Sequence, residues 1–265
     1  MDTKNMNTKA KKHYAVITGA SSGIGKEFAK KLSEEGYRLV LVARRRERLE
    51  ELASSLKTEC KIITADLGRL EECEKLCKEL EGLSVGIFIN NAGFGDCSYF
   101  LEGDEAKEME MIDVNVKAVH FLTKRILQKM TAQGGGYLLN VASSAGLMPA
   151  GPYMATYYAT KSYVASLTRA IAQELKEKKN PVYIGALCPG PVDTEFNQVA
   201  NASFALPGIS PKDCVDYALK EMKKKKVIIV PSLAIKGAAV GAKLFPTNLV
   251  VKLASYQQKK KRQDL

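Results

Sequence analysis

The chain has 265 residues, 46% of them hydrophobic and 26% charged, which suits one large α/β domain and excludes a disordered, collagen-like or disulfide-rich chain. The formal net charge is +11, but nearly all of the excess lies in three basic segments, at residues 1–12, 220–226 and 257–265. Because the body of the chain is close to neutral, we expect no nucleic-acid partner.

Short runs rich in β-branched residues alternate with longer segments whose apolar residues recur at helical spacing. The runs are apolar almost throughout, which is typical of parallel strands buried on both faces. We therefore predict a single-domain α/β fold, a Rossmann-like, doubly wound parallel sheet of seven strands flanked by helices. The predicted strands are 14–18, 38–43, 60–64, 85–89, 137–142, 182–187 and 227–230. The predicted helices are 24–35, 46–57, 70–80, 105–130 and 156–178.

The predicted Rossmann-fold domain covers residues 13–231. It follows a flexible basic tail at 1–12 and precedes a C-terminal hydrophobic extension and basic tail at 232–265. After the sixth predicted strand, a long stretch shows no clear periodicity. Because ligands bind beyond the carboxyl ends of the strands in such sheets, we expect a substrate lid over about residues 189–225.

A glycine-rich turn, Thr-Gly-Ala-Ser-Ser-Gly-Ile-Gly at 18–25, joins the first predicted strand to the first helix. Unpaired N–H groups and the positive end of the helix dipole favour an anion there, and glycine lets a pyrophosphate approach the backbone. An ordinary tight turn is the alternative, but a dinucleotide site requires this position after strand one. The predicted cofactor contacts in the turn are Gly19, Ser21, Ser22, Gly23, Ile24 and Gly25.

The second predicted strand runs into three arginines, Arg44, Arg45 and Arg46, and no carboxylate stands at the end of the strand. An acidic residue at this point commonly holds the ribose 2′-hydroxyl of NAD, whereas Arg accommodates the 2′-phosphate of NADP. We therefore predict NADP(H) as the cofactor, with Arg44 as the main phosphate ligand and Ser22 or Arg45 assisting. The alternative is an ordinary basic start of the next helix.

Tyr157 and Lys161 stand four residues apart in a helical pattern, which places both side chains on one face. An unperturbed Tyr has a pKa of about 10, and a neighbouring ammonium lowers that pKa because it favours the phenolate. Such a Tyr can act as general acid or base. Tyr158 lacks this spacing and is expected to pack. Because Tyr and Lys often occur at this spacing by chance, the assignment of Tyr157 as an acid or base depends on the other polar residues expected near it.

Polar residues follow the predicted strands at the edge where Tyr157 would lie. Ser143 and Ser144 come after the fifth strand, where a hydroxyl can bond a substrate carbonyl. The Asn-Asn-Ala-Gly run at 90–93 follows the fourth strand, and Asn115 interrupts an apolar helical run. Each also has an ordinary structural interpretation, as a cap, a turn residue or a tolerated helical Asn.

Taken in order, these motifs resemble the short-chain dehydrogenase/reductase family, and they cover most of the chain. The resemblance implies an NADP(H)-dependent oxidoreductase that acts on CH–OH groups. It would transfer a hydride between nicotinamide and a secondary alcohol or ketone, without a metal. The matching segments are T-G-x-x-x-G-x-G at 18–25, Asp66 after the third strand, N-N-A-G at 90–93, Asn115, Ser143, Y-x-x-x-K at 157–161 and P-G-x-V-x-T at 189–194.

The resemblance implies that Tyr157 is the catalytic acid or base, and that Lys161 lowers its pKa and holds the nicotinamide ribose. Ser143 would orient and polarise the substrate carbonyl, although the family's usual spacing to Tyr157 selects Ser144, which stays open. Asn115 would hold a water that passes protons to Lys161. The further cofactor contacts that the resemblance implies are Asp66, Leu67, Asn91, Ala92, Gly93, Pro189, Gly190, Val192 and Thr194.

The segments expected to choose the substrate, 196–209 and 233–245, are largely apolar, which suits a hydrophobic carbonyl compound or alcohol. The run at 153–161 (Tyr-Met-Ala-Thr-Tyr-Tyr-Ala-Thr-Lys) and the Lys-rich tail after an extra hydrophobic segment most resemble one branch of the family. That branch holds bacterial hydroxysteroid dehydrogenases and relatives of the 17β-hydroxysteroid and 3-ketoacyl reductases. We therefore expect a hydroxysteroid of bile-acid type. The alternatives are a 3-oxoacyl-thioester reductase, a broad carbonyl reductase and, remotely, a non-enzymatic NADP(H)-binding sensor. The resemblance also implies a homo-oligomer.

Six scattered cysteines without metal or redox spacing are typical of a reducing compartment. The N-terminal residues are polar and basic rather than an apolar signal core, and the apolar stretch at 232–246 is too short for a bilayer. We expect a cytoplasmic protein without stable membrane insertion. A weak association with a membrane surface through residues 233–256 and the basic tail stays an alternative.

Overall fold

A computed structural model describes residues 13–196, 200 and 208–259. Its centre is a seven-stranded parallel sheet in the order β3-β2-β1-β4-β5-β6-β7, which confirms the predicted architecture. The order reverses between β1 and β4, and ligands bind at such switch points. The strands are β1 (Tyr14–Thr18), β2 (Arg38–Ala43), β3 (Cys60–Thr64), β4 (Val85–Asn90), β5 (Gly136–Val141), β6 (Val182–Leu187) and β7 (Ile228–Ile229).

Helices pack on both faces of the sheet. Alternate residues of a strand point to opposite faces, so Ile17 of β1 packs with Phe28 on one side while Val16 packs with Ile126 on the other. This double burial explains why the strands are apolar throughout. The helices are α1 (Gly23–Glu34), α2 (Arg46–Ser54), α3 (Leu70–Glu79), α4 (Glu105–Ile112), α5 (Val119–Ala132), α6 (Ala155–Glu177), α7 (Pro211–Lys223), α8 (Leu233–Leu244) and α9 (Thr247–Lys259).

The helix predicted at 105–130 is interrupted in the structure. A π-helical turn, Asp113–Ala118, separates α4 from α5, and the chain then stays helical to Ala132. Such turns insert an extra residue into the helical ladder and occur frequently at functional sites. This one carries Asn115.

The predicted lid segment at 189–225 contains helix α7, so its last part is packed helix rather than loop. The Ser210 side chain accepts a hydrogen bond from the N–H of Asp213, and Pro211 begins the helix. Val215 and Leu219 pack in the same core cluster as the apolar side of α1. The stretch without periodicity therefore ends at Ser210, and its residues 197–199 and 201–207 lie outside the described residues.

Helices α8 and α9 form the described part of the C-terminal extension. Within residues 13–196, 200 and 208–259, no helix combines the length and apolar character that a bilayer crossing needs. The predicted basic tail at 1–12 and the last residues, 260–265, lie outside the described residues.

Candidate active site

The glycine-rich turn closes tightly between β1 and α1. Gly19 has a φ of 64°, a left-handed conformation that glycine adopts without steric cost, and a Cβ at Gly25 would overlap the carbonyl oxygen of Gly19. Helix α1 begins at Gly23 with no acidic residue in its first turn, and the Ser22 side chain makes no cap hydrogen bond. The turn thus presents a helix N-terminus free of carboxylates, as an anion site requires.

A cleft of about 580 Å³ opens beside this turn, at the carboxyl ends of β1 to β6. It brings most of the predicted site residues together. Gly25 and Asn115 do not line the cleft. The predicted residues that line it are Gly19, Ser21, Ser22, Gly23, Ile24, Arg44, Asp66, Leu67, Asn91, Ala92, Gly93, Ser143, Tyr157, Lys161, Pro189, Gly190, Val192 and Thr194.

Asn91 joins the glycine turn to the end of β4. Its Nδ2 donates to the carbonyl oxygens of Thr18, at 2.9 Å, and Gly19, at 3.3 Å. The Thr18 hydroxyl oxygen accepts from the backbone N–H groups of Asn91 and Ala92, at 2.9 and 3.0 Å. These bonds hold the turn against the central sheet, where the resemblance places Asn91.

Arg44 and Arg45 lie at the cleft just after β2. Nη1 of Arg44 donates to Oε1 of Glu110 at 2.8 Å, with 63% of the Arg44 side chain exposed. Nη2 of Arg45 donates to the hydroxyl of Ser21 at 3.0 Å, a contact that sequence patterns do not indicate. Exposed ion pairs contribute about 1 kcal/mol or less, so Arg44 can exchange Glu110 for a phosphate at little cost.

Asp66 and Thr194 line the cleft from loops that hydrogen bonds hold in place. Oδ1 of Asp66 accepts from the N–H of Gly68 at 3.1 Å. The Thr194 hydroxyl oxygen accepts from the N–H of Phe196 at 3.3 Å, and a Cβ at Gly23 would lie 3.2 Å from the Thr194 Cβ. Thr194 therefore packs directly on the glycine turn.

Tyr157 lies in the first turn of α6, and its phenol faces the side chain of Ser143, just after β5. Burial raises the pKa of Tyr157 above its ordinary value of 10.0, and the nearby Ser143 side chain lowers it in part. The phenol is therefore protonated at neutral pH. In this environment Tyr157 is a proton donor.

Lys161 lies one turn further along α6, with a buried ammonium. Its Nζ donates to the carbonyl oxygen of Val141 at 3.0 Å and lies 5.9 Å from the centre of the Tyr157 ring. Burial lowers the pKa of Lys161 to about 8, because the charged form loses its hydration. In this structure burial dominates the pKa of Tyr157, so the expected lowering of that pKa by Lys161 stays a prediction.

Asn115, in the π-helical turn, is fully buried. Its Nδ2 donates to the carbonyl oxygen of Phe94 at 2.8 Å and to the Thr160 hydroxyl oxygen at 3.2 Å. Its Oδ1 accepts from the N–H of Phe94 at 3.1 Å. A Cβ at Gly93 would lie 2.7 Å from this Oδ1 and 3.2 Å from Nζ of Lys161. Asn115 thus supports the loop after β4 and stands near Lys161.

The two candidate serines differ in their contacts. The Ser143 hydroxyl oxygen accepts from the N–H of Ala145 at 3.1 Å, and the same side chain lies beside the Tyr157 phenol, whose pKa it lowers in part. Ser144 begins a short 3₁₀ helix, and its N–H donates to the carbonyl oxygen of Pro189 at 2.7 Å. Both line the cleft, but the position beside the phenol favours Ser143 as the carbonyl ligand.

An apolar part of the cleft includes Phe196, from the segment expected to choose the substrate, together with Phe94, Met154 and Tyr158, which sequence patterns do not place there. The Tyr157 ring centre lies 5.5 Å from that of Phe196 and 6.4 Å from that of Tyr158. Tyr158, expected to pack, thus also lines the cleft. Its Oη accepts from Nε2 of Gln258 in α9, which is 100 residues away in sequence and beyond the reach of any local pattern.

The profile of one family, described as short chain dehydrogenase, matches residues 13–204. The chain belongs to the short chain dehydrogenase family. The match covers well over half of the sequence and extends from β1 past β6. It therefore includes the glycine turn, Asn115, Ser143 and the Tyr157–Lys161 pair, and it confirms the resemblance drawn from the motifs.

Similar short chain dehydrogenases differ in their described activities. A very-long-chain 3-oxoacyl-CoA reductase of Anas platyrhynchos is 32% identical over 203 residues, covering 73% of this chain and 64% of that protein. This chain thus spans under two thirds of that relative's length.

Two solved structures share the fold. A short-chain dehydrogenase from Sphingobium yanoikuyae in complex with NADPH is 29% identical, with a TM-score of 0.77 and coverage of 88% of this chain and 96% of that one. A 7β-hydroxysteroid dehydrogenase is 24% identical, with a TM-score of 0.82 and coverage of 94% and 99%. At 24% identity, the similarity to the 7β-hydroxysteroid dehydrogenase shows a shared fold alone.

Proposed function

We propose that this chain is an NADPH-dependent oxidoreductase that reduces the ketone of a long-chain 3-oxoacyl thioester to a secondary alcohol. The observation that carries the proposal is the position of the Tyr157 phenol beside the Ser143 side chain, one helical turn from the buried ammonium of Lys161. These groups share a cleft with the glycine turn. The arrangement supports protonation of a carbonyl oxygen beside a bound dinucleotide.

The residues of the cleft fit NADPH. The N-terminus of α1, free of carboxylates, would hold the pyrophosphate, and Arg44 with Arg45 would hold the 2′-phosphate. Asp66 and Leu67 would contact the adenine side, and Lys161 the nicotinamide ribose. When bound, NADPH supplies the hydride for the carbonyl carbon. The NADPH complex of the Sphingobium yanoikuyae relative supports this choice of cofactor.

Side chains of the protein bind and protonate the carbonyl oxygen of the substrate. Ser143 donates a hydrogen bond to it and stabilises the negative charge that develops during reduction. Tyr157, which burial keeps protonated, donates its proton to the same oxygen. The Lys161 ammonium then stabilises the phenolate, and Asn115 holds a water that returns a proton through Lys161.

The apolar residues beside Tyr157 support a substrate with an acyl chain. Phe94, Met154 and Phe196 line the cleft there, and apolar pockets of this kind bind hydrophobic ligands. The 3-oxoacyl-CoA reductase relative supports a thioester, whereas the hydroxysteroid dehydrogenase shares the fold alone. The proposal therefore takes the thioester alternative in place of the hydroxysteroid of bile-acid type that the sequence led us to expect.

A substrate panel tests the proposal. The purified chain is given NADPH or NADH with short-chain and long-chain 3-oxoacyl-CoA thioesters, a bile-acid ketone and a simple ketone, and loss of reduced nicotinamide is followed by absorbance. We expect NADPH-dependent turnover, with the highest kcat/KM for the long-chain thioester. Turnover of the steroid alone would overturn the substrate class. NADPH binding without turnover of any carbonyl compound would favour the non-enzymatic sensor instead.

A homo-oligomer, a cytoplasmic location and the absence of a nucleic-acid partner stay predictions. Size-exclusion chromatography with light scattering tests the first of them directly.

A further inference from the structure

Helices α8 and α9 expose large apolar side chains. Leu233 and Leu244 of α8 are 81% and 77% exposed, and Leu253 of α9 is 59% exposed. Phe245, between the two helices, is also exposed. Single exposed apolar residues are ordinary on a protein surface, but a series along two consecutive helices marks an interaction surface.

The exposed apolar residues form one stripe on each helix. In α8, Leu233, Val240 and Leu244 are separated by seven and four residues, so they lie on one helical face. In α9, Leu249 and Leu253 are four residues apart and share a face in the same way. The opposite side of each helix packs on the protein, as buried Ala239 and Ala254 show. We call these two stripes, with Phe245, the C-terminal apolar face.

The charge around the C-terminal apolar face has one sign. Residues 232–259 contain four lysines and no Asp or Glu, and residues 260–262 continue as Lys-Lys-Arg. Lys243 and Lys252 are exposed, and among the described residues neither forms an ion pair. Each therefore presents an uncompensated positive charge next to an apolar stripe.

We propose that the C-terminal apolar face docks on the surface of an anionic phospholipid membrane. Helices with an apolar stripe and a basic border lie in the plane of the membrane interface, with the stripe in the acyl boundary and the lysines at the headgroups. The positive charge around the C-terminal apolar face favours an anionic lipid surface over a second copy of this chain, because self-association would bring lysines of the two copies together. Interfacial docking also requires no helix long enough to cross a bilayer.

The docked helices would lie close to the candidate active site. Ile235 of α8 packs against Gly190 of the cleft: a Cβ added at Gly190 would meet the Ile235 side chain at 2.9 Å. Gln258 of α9 hydrogen-bonds Tyr158, which also lines the cleft. Membrane docking therefore places the cleft next to a source of long-chain substrates, although the docking itself does not depend on the proposed activity.

Vesicle flotation of the full chain tests the docking. The probes are phosphatidylcholine vesicles and vesicles that also contain about one third phosphatidylglycerol. We expect the chain to float with the anionic vesicles alone and to detach at high salt, since the attraction is partly electrostatic. Lys243→Glu/Lys252→Glu should weaken binding about tenfold or more, since each lysine near such a surface contributes about 1 kcal/mol. The matched pair Lys57→Glu/Lys124→Glu, also on exposed lysines, should bind as the wild type does.

A second pair of variants tests the apolar contribution. Leu253→Ser should lower flotation several-fold, whereas Leu70→Ser, at a leucine of similar exposure (50%) on α3, should not. Circular dichroism checks that each variant is folded. Equal binding by all variants, or no binding to anionic vesicles, overturns the proposal. A concentration-dependent dimer that Leu253→Ser dissociates, without flotation, also overturns it and assigns the face to a second copy.

Discussion

Nζ of Lys161 donates a 3.0 Å hydrogen bond to the carbonyl oxygen of Val141, at the end of β5. Burial lowers the pKa of Lys161 from 10.5 to about 8, so between these values the unfolded chain binds more protons at Lys161 than the folded chain does. The contribution of Lys161 to the free energy of unfolding therefore rises with pH between these two pKa values. Below pH 8 Lys161 is charged in the folded protein, and the desolvation of this buried charge then destabilises the fold in full.

We predict that Lys161→Met removes this pH dependence. The unfolding free energy of Lys161→Met minus that of the wild type should fall, by on the order of 2 kcal/mol, as pH rises from about 7 to about 10. Urea unfolding at several pH values measures the difference. Lys124→Met, at an exposed lysine of α5, is the control. A difference for Lys161→Met that stays constant across this range would contradict the account.

Substitution of the two serines after β5, Ser143 and Ser144, should have different effects on kcat. Ser143→Ala removes the hydroxyl beside the Tyr157 phenol, and we expect kcat to fall about 10²- to 10³-fold, as when an oxyanion donor is lost. Ser144→Ala keeps the backbone bond from the Ser144 N–H to Pro189, so kcat should stay within about tenfold of the wild type. Steady-state rates of both variants with the same substrate decide the assignment, and the reverse order would move the role to Ser144.

Charge reversal at the end of β2 tests the cofactor choice. Arg44→Asp places a carboxylate where the 2′-phosphate is expected, and we predict that the Kd for NADPH rises about 100-fold or more while that for NADH changes little. Arg46→Asp is the matched control, because Arg46 pairs with Glu50 on the surface of α2. Fluorescence titration gives the constants. An unchanged NADPH/NADH preference in Arg44→Asp would remove this arginine from the cofactor site.

Two glycine substitutions should change stability in opposite directions. In Gly25→Ala the new methyl group would overlap the Gly19 carbonyl and lie 2.6 Å from Nδ2 of Asn91. The cost should be about 1–3 kcal/mol, with weaker NADPH binding. Gly237→Ala, in the open interior of α8 with nothing within 4 Å, should gain up to about 1 kcal/mol. Urea unfolding of both variants measures the contrast, and an undiminished stability of Gly25→Ala would show that the turn is looser than described.

Sequence patterns predict the central strands well because burial on both faces leaves little choice of residue. The strand at Tyr14–Thr18, for example, has its predicted bounds, and the glycine turn after it has the conformation that an anion site needs. The last strand is shorter than its apolar run, since Ile228 and Ile229 alone pair with β6. Helix α7 is absent from the predicted helices although Ser210 and Pro211 form a recognisable helix start.

The rest of the site depends on contacts between distant segments. The π-helical turn that holds Asn115 has no sequence pattern of its own. The raised pKa of Tyr157 follows from burial by surrounding loops, which the four-residue spacing to Lys161 does not reveal. The bond between Gln258 and Tyr158 likewise appears when the C-terminal helices are packed on the body.

The central claim is that the Tyr157 phenol delivers the proton in a carbonyl reduction. Tyr157→Phe keeps the ring and removes that proton, so the most direct test is kcat of this variant with NADPH and a long-chain 3-oxoacyl-CoA, alongside its Kd for NADPH. We predict a Kd within about threefold of the wild type and a loss of kcat of about 10³-fold or more. A variant that binds NADPH normally and still turns over within about tenfold of the wild-type rate would contradict the claim.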